Sequence, residues 1–367
     1  MMSLRTISAL LLLSSGSNVL CSALVVETCQ DLQDAFDSTA TEAVEVEIDP
    51  SKAITCDAFT TMSMDSNTLT VVPCETCATG GTVELNEVRF EVTGGAKLFW
   101  RLGAAFTGTD LQDVDGGAVF VGEDSTARFS GDFSTADVGI RSVPDEYADF
   151  ATYDLDGGCV YVDGYFRVEG DASFERCENS GGGEAPPGRA GVMYVGPNGS
   201  VLFAGKVSMS EVSIIDNEGN NGGGIYNEGK VNIKGDAVFD DLRAEAGGAI
   251  FNAEGAEFRF KRGATATFNE CLSFDGIGGA VFNAGYFKLS GPATVTASRA
   301  PTFVVSSTGY TRLSEGSVFT GLGVFDTEPA IVVDEGGRLT GVGKVDFVDG
   351  ATTGCATVEE AGVCLDG

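Results

Sequence analysis

The chain has 367 residues, with 51 Gly, 54 acidic and 22 basic side chains, no His and a formal net charge of −32. Without His there can be no Ser–His–Asp or Cys–His triad, imidazole base or His-ligated zinc, and the charge argues against a nucleic-acid partner, whose phosphates need a positive footprint. Glycine runs at twice its ordinary ~7%, yet a 43% apolar fraction with 24 Phe is enough for a packed core.

Residues 1–23 read as a secretory signal: Arg5 is the positive start, Ile7 to Leu13 the apolar stretch, and Cys21-Ser22-Ala23 a small-residue cleavage site. That run is shorter than the roughly 20 residues of a membrane-spanning helix, so the expectation is an exported chain with no membrane span. Thr28 then caps a short helix over Cys29–Ser38, with Leu32, Ala35 and Phe36 on one face. Val44–Ile48, Ala53–Cys56 and Thr68–Val72 follow as strands. Residues 24–110 form the cap helix and first coils, 111–350 the repeat region and 351–367 a Cys-containing C-terminal cap.

One phrase recurs through the repeat region: Gly116-Gly117-Ala118-Val119-Phe120, Gly157-Gly158-Cys159-Val160-Tyr161 and Ala190-Gly191-Val192-Met193-Tyr194. It continues from Gly222, Gly247 and Gly278, each time ending in Asn (Asn227, Asn252, Asn283), with weaker echoes at Thr302 and Pro329. The steps average about 30 residues. Each contains an alternating segment such as Glu257-Phe258-Arg259-Phe260 and a third short segment such as Ala237-Val238-Phe239. Three short strands per step without helical periodicity predict an all-β, right-handed, single-stranded parallel β-helix of about ten coils, with an N-terminal capping helix. Propeller blades need four strands over ~40–45 residues and fit poorly. Asn227, Asn252 and Asn283 would stack as a structural amide ladder, and the Phe side chains are expected inside the tube.

The cap helix phrase Leu32-Gln33-Asp34-Ala35-Phe36 and the order of elements resemble secreted pectate-lyase-like right-handed β-helix proteins. The Gly-Gly-Ala-Ile/Val-Phe/Tyr phrases are similar to repeats of the chlamydial polymorphic outer-membrane protein family. The partner phrase of that family, Phe-x-x-Asn, departs here to Phe174-Glu175-Arg176-Cys177, Phe239-Asp240-Asp241-Leu242 and Phe268-Asn269-Glu270-Cys271. The resemblance implies an exported or surface-associated solenoid, and many proteins of this fold act on polysaccharides.

The cysteines cluster at both ends. Cys29, Cys56, Cys74, Cys77, Cys159, Cys177, Cys355 and Cys364 are the disulfide candidates. Cys159–Cys177 is a conceivable pair, which would leave Cys271 as a buried free thiol, whereas the other pairings stay open. Asp113, Asp115, Asp154 and Asp156 precede Gly-Gly phrases in adjacent coils, and stacking would bring Asp115 and Asp156 together as oxygen ligands for Ca²⁺. Arg128, Arg141 and Arg167 lie in the same coils, so a His-independent, Ca²⁺-dependent lyase is the alternative to a non-catalytic structural, adhesive or glycan-binding protein. Asp240-Asp241 would be either a paired-carboxylate site or a solvated turn. Asn198-Gly199-Ser200 is a glycosylation sequon. The expected partner is an extracellular polysaccharide or a cell-wall or surface component. No catalytic residue is assigned, and no cofactor is expected beyond Ca²⁺.

Overall fold

The computed structural model describes residues 24–74, 81–108, 110–112, 114–141, 155–180, 189–212, 221–296, 301–313, 318–320, 331–341 and 346–348. The expected leader at 1–23, together with Cys77, Asp113, Asp154, Cys355 and Cys364, lies outside them. The described strand pairings are all parallel and fall into two long sheets, one of 12 strands and one of 21. The fold is a parallel β-helix.

Each regular coil uses three strands. In the coil that starts at Val119 they are Val119–Val121, Thr126–Phe129 and Phe133–Arg141. The first strand of each coil follows a Gly-Gly phrase, the second belongs to the 12-stranded sheet, and the third bends back toward the next Gly-Gly phrase. Strict register holds Val119, Val160, Met193, Ile225, Ile250, Val281 and Phe303 one above another. The 12-stranded sheet passes residue 110 without a break, since Lys97–Trp100 pairs with Thr126–Phe129. Twelve rungs stand in this sheet, more than the expected ten. One of the two extra rungs is Leu24–Val26, an edge strand ahead of the helix.

The glycine pairs have two separate jobs. The first glycine adopts positive φ (Gly116 64°, Gly247 62°), a region that costs L-residues steric strain. The second faces the next coil at close range: a Cβ on Gly248 would lie 2.1 Å from the carbonyl oxygen of Gly279.

The tube is filled by apolar side chains that alternate with outward ones. Phe106, Phe129, Phe133, Phe166, Phe174 and Phe203 are fully buried, with ring centroids 4.9–6.3 Å apart along the stack. The helix Cys29–Ser38 closes one end. Thr28 and Asp31 form a reciprocal capping box, Phe36 packs on Phe90 with centroids 5.1 Å apart, and the Cys29–Cys56 disulfide ties the helix to the strand Ile54–Met64. Cys159 and Cys177 form a second disulfide, Cys74 is disulfide-bonded too, and Cys271 is a buried free thiol. Burial pushes the Cys271 thiol up to about 12, which keeps it protonated and unreactive.

Not all aromatics go inside. Phe120, Tyr161, Tyr194, Tyr226, Phe251 and Phe282 point outward from successive Gly-Gly strands and stack in series, 4.6–5.8 Å apart. Alternation explains this correction to the expected all-interior packing. Each of these rings follows an inward Val, Ile or Met, so a strand that buries one neighbour exposes the next.

Candidate functional site

Three outer surfaces carry chemistry. On the first, the Gly-Gly surface, Asp115 and Asp156 are brought together by coil stacking. Asp115 Oδ1 accepts the Asp156 backbone N–H at 2.8 Å, while Asp156 receives the Arg189 guanidinium through Nε at 2.9 Å and Nη2 at 2.6 Å. Arg189 also lies 4.5 Å over the Tyr194 ring and 3.4 Å from Glu228, and the Tyr194 hydroxyl donates to Glu228 at 2.5 Å. Burial and the neighbouring Asp156 charge raise Asp115 to about 6, against the Asp156 N–H and the arginines. Burial and Glu228 raise the Tyr194 hydroxyl well above its ordinary value. For Arg189 burial works in the opposite direction, and the bond and charge of Asp156 outweigh it, so it stays charged.

These groups compensate one another. Asp156 has its charge matched by a guanidinium held in two-point contact, an arrangement that fixes the turn. Among the described residues no group of three or more His, Cys, Asp or Glu is gathered for a metal ion. The outward ring ladder is closed in a similar way, because each ring covers the face of the next. Arg89, 5% exposed, completes it at one end. It lies 5.5 Å from the centre of the Phe120 ring and donates to the carbonyls of Asp115 and Gly116 at 2.8 and 2.9 Å.

The amide ladder runs beside that surface. Asn227 Nδ2 donates to Asn252 Oδ1 at 2.7 Å, Asn252 to Asn283 at 2.7 Å, and Asn283 to the Thr311 hydroxyl at 2.8 Å. All three Asn are fully buried, and Asn227 and Asn283 also accept the backbone N–H two residues on.

The second surface is the ridge where the third strand bends. Asp137, Arg176, Glu211, Asp241 and Glu270 adopt positive φ there, 48–54°. Asp240 and Asp241 do not face each other as a catalytic pair: Asp241 sits in the bend and binds Arg243 at 2.9 Å, while Asp240 is exposed on the strand. Arg176 bridges to Asp137 at 2.5 and 3.0 Å. Asn198 of the sequon is exposed in a turn, and its N–H donates to Asp163 at 3.0 Å.

The third surface is the outer face of the 12-stranded sheet. Arg128, Arg167, Arg259, Lys288 and Arg312 fall in one register column, interrupted by Leu202 and Asn232. Lys97, Lys230 and Arg338 flank the column on one side. Arg101, Lys234 and Lys261, each just past a strand end, flank it on the other. From the Lys97 rung onward this face carries eleven cations and two carboxylates, Glu169 and Glu257, among the described residues. Half of the 22 basic residues of a −32 chain thus share one face.

Glu169 joins Arg128 at 2.5 Å and Arg167 at 2.7 Å. Burial works against its ionisation, but those two arginines hold its carboxyl below the usual range. Arg259 pairs with Glu257 and lies 5.0 Å from the centre of the Tyr286 ring. The Nε–H groups of Arg128 and Arg167 have no acceptor among the described residues. The other eight cations have no carboxylate within 4.0 Å among the described residues. Arg128 and Arg167 therefore sit on a different surface from Asp115 and Asp156 and do not converge on them. The side chain of Arg141 is not among those described.

Sequence reasoning missed this column, although its signal is present. The segments Lys97-Leu98-Phe99-Trp100, Thr126-Ala127-Arg128-Phe129, Tyr165-Phe166-Arg167-Val168 and Tyr286-Phe287-Lys288 place basic residues on outward positions of a period-2 pattern. No helix among the described residues is long and apolar enough to cross a membrane. Comparison with protein-family models, with curated proteins and with solved structures finds no match.

Proposed function

We propose that this chain is an exported, non-catalytic β-helix protein that binds an acidic polysaccharide along the outer face of the 12-stranded sheet. The cation column carries the reading. In a parallel β-helix its charges repeat at the strand spacing of about 4.7–4.9 Å, a period of the same order as the one carboxylate per sugar ring of a polyuronate. A flat, continuous surface suits an extended polymer better than a small substrate. Export agrees with the expected leader and with disulfides, which persist in oxidising compartments.

The test is binding of a uronic-acid polymer and of its methyl-esterified, uncharged counterpart by the full chain. The acidic polymer should bind and weaken steeply with salt, since exposed charge interactions are screened. The neutral one should bind at least tenfold more weakly. Lys288→Glu with Arg312→Glu should lower affinity for the acidic polymer more than tenfold. Equal binding of the two polymers would overturn the charge reading, and unsaturated or shortened products would overturn the non-catalytic one.

A further inference from the structure

The cation face is not uniform along its length. The rung Ser200–Phe203 and the residue after it turn Ser200, Leu202 and Ala204 outward, so it carries no charge and parts the face into two stretches. The longer stretch runs over five rungs, from Lys230–Ile233 to Arg338–Gly341, about 19 Å at the strand spacing. It holds seven of the eleven cations. The shorter stretch holds Lys97, Arg101, Arg128 and Arg167.

In the shorter stretch one carboxylate is already seated. Arg128 Nη2 and Arg167 Nη2, from adjacent rungs, meet the same oxygen of Glu169, Oε1, at 2.5 and 2.7 Å. The Ser130 hydroxyl bonds to that carboxylate as well. Two guanidinium groups one strand step apart thus converge on a single carboxylate through charge-assisted bonds. The repeat itself asks for no acid there, because neighbouring rungs carry Ser130, Ala204 and Lys234 at the same place. Lys288 and Arg312 also occupy adjacent rungs of the column, and they have no carboxylate within 4.0 Å among the described residues.

We propose that Glu169 is an internal counter-anion that takes the place of a polymer carboxylate on Arg128 and Arg167, closing the shorter stretch and confining the acidic polymer to the longer one. The proposal rests on the acidic-polysaccharide reading of the face. One carboxylate bridging two rungs is the contact that the polymer makes at Lys288 and Arg312. At Arg128 and Arg167 it must first displace a carboxylate tethered one residue beyond the strand, whose effective concentration exceeds that of a free ligand. Glu169 therefore sets where on the face the polymer lies.

Two measurements on the full chain test it. In the first, the melting temperature is followed with sodium sulfate at constant ionic strength, sulfate being the probe for the emptied seat. Glu169→Ala should gain about 3 °C more than wild type from about 20 mM sulfate, because an anion held only by the folded chain stabilises it. Arg128→Ala combined with Glu169→Ala should lose that gain. In the second, calorimetric titration with a long uronic-acid polymer should show Glu169→Ala binding at least threefold more tightly than wild type, with a steeper salt dependence. Glu169→Gln keeps an acceptor for the arginines and removes the charge, so it should shift affinity the same way by less. Added to Lys288→Glu with Arg312→Glu, Glu169→Ala should recover at least threefold of the lost affinity. If the wild type binds the polymer, but Glu169→Ala gains nothing from sulfate and neither variant binds more tightly, Glu169 is a structural ion pair; the proposal is then overturned and the face reading survives. If sulfate stabilises Glu169→Ala yet no chain binds the polymer, the arginine pair is a seat for small anions, and the polysaccharide reading falls together with the confinement of a polymer.

Discussion

Asp115 shows how a residue that resembles a metal ligand in sequence can have a structural task. Its carboxylate holds the backbone of the next coil through the Asp156 N–H, and burial lifts its pKa to about 6, from 3.8. The raised value means that the folded chain holds this proton more tightly than the unfolded one. The contribution of Asp115 to stability is therefore present below about pH 4 and is lost as pH rises toward 6. Replacing it by Asn keeps an acceptor for the Asp156 N–H and removes the ionisation penalty. The variant should be more stable than wild type at pH 7, by about 1–3 kcal/mol, and the gap should close at pH 4. Urea midpoints at the two pH values check this. Asn252 is the opposite case, a buried amide whose donor and acceptor sites are both used. Asn252→Leu leaves Asn227 without its side-chain acceptor and Asn283 Oδ1 without its side-chain donor. It should cost about 2–4 kcal/mol, read as a fall in the denaturation midpoint.

At the scale of the element, the Gly-Gly phrase sets the size of a coil. The second glycine of each pair is a contact between coils rather than a flexible point. Gly248→Ala must push a Cβ away from the Gly279 carbonyl 2.1 Å off, so the two rungs must separate. A loss of more than about 3 kcal/mol is expected. Gly255→Ala meets no atom, but it sits at φ +81° and should cost about 1 kcal/mol from backbone strain alone. Thermal melts of the two variants side by side test whether space or dihedral dominates. The bend of the third strand is the least expected element. It places Asp137, Arg176, Glu211, Asp241 and Glu270 at positive φ, where Gly or Asn would be the ordinary choice. Stacking against identical bends above and below holds these residues there.

For the whole molecule, charge is distributed by face rather than evenly. Eleven cations on one sheet face leave the remaining surfaces more acidic than the net −32 suggests. Self-repulsion of those acidic surfaces destabilises the compact state, and salt screens it. The melting temperature should therefore rise between about 10 and 150 mM NaCl, under the conditions in which acidic-polymer binding falls. The two opposite salt responses, measured on one preparation, separate stability from recognition. A stack whose neighbours touch only the next rung also unfolds from its less protected end, and hydrogen exchange should show the helix-capped, disulfide-tied coils opening last.

The fold was legible in the sequence because its signals are local. Gly-Gly punctuation, period-2 alternation in Glu257–Phe260 or Lys230–Ile233, the Thr28 cap and the recurrent Asn each report on a few neighbouring residues, and the repeat multiplies them. Arginines such as Arg128 and Arg259, one in each of their coils, look like ordinary solvated strand residues when read singly. Only the parallel register sets Arg128 beside Arg167 and Arg259 beside Lys288. The sequence alone determined what each coil buries, because burial follows alternation along one strand. The tertiary structure decided what the coils present together, because register between strands some 30 residues apart is what converts isolated charges into a surface.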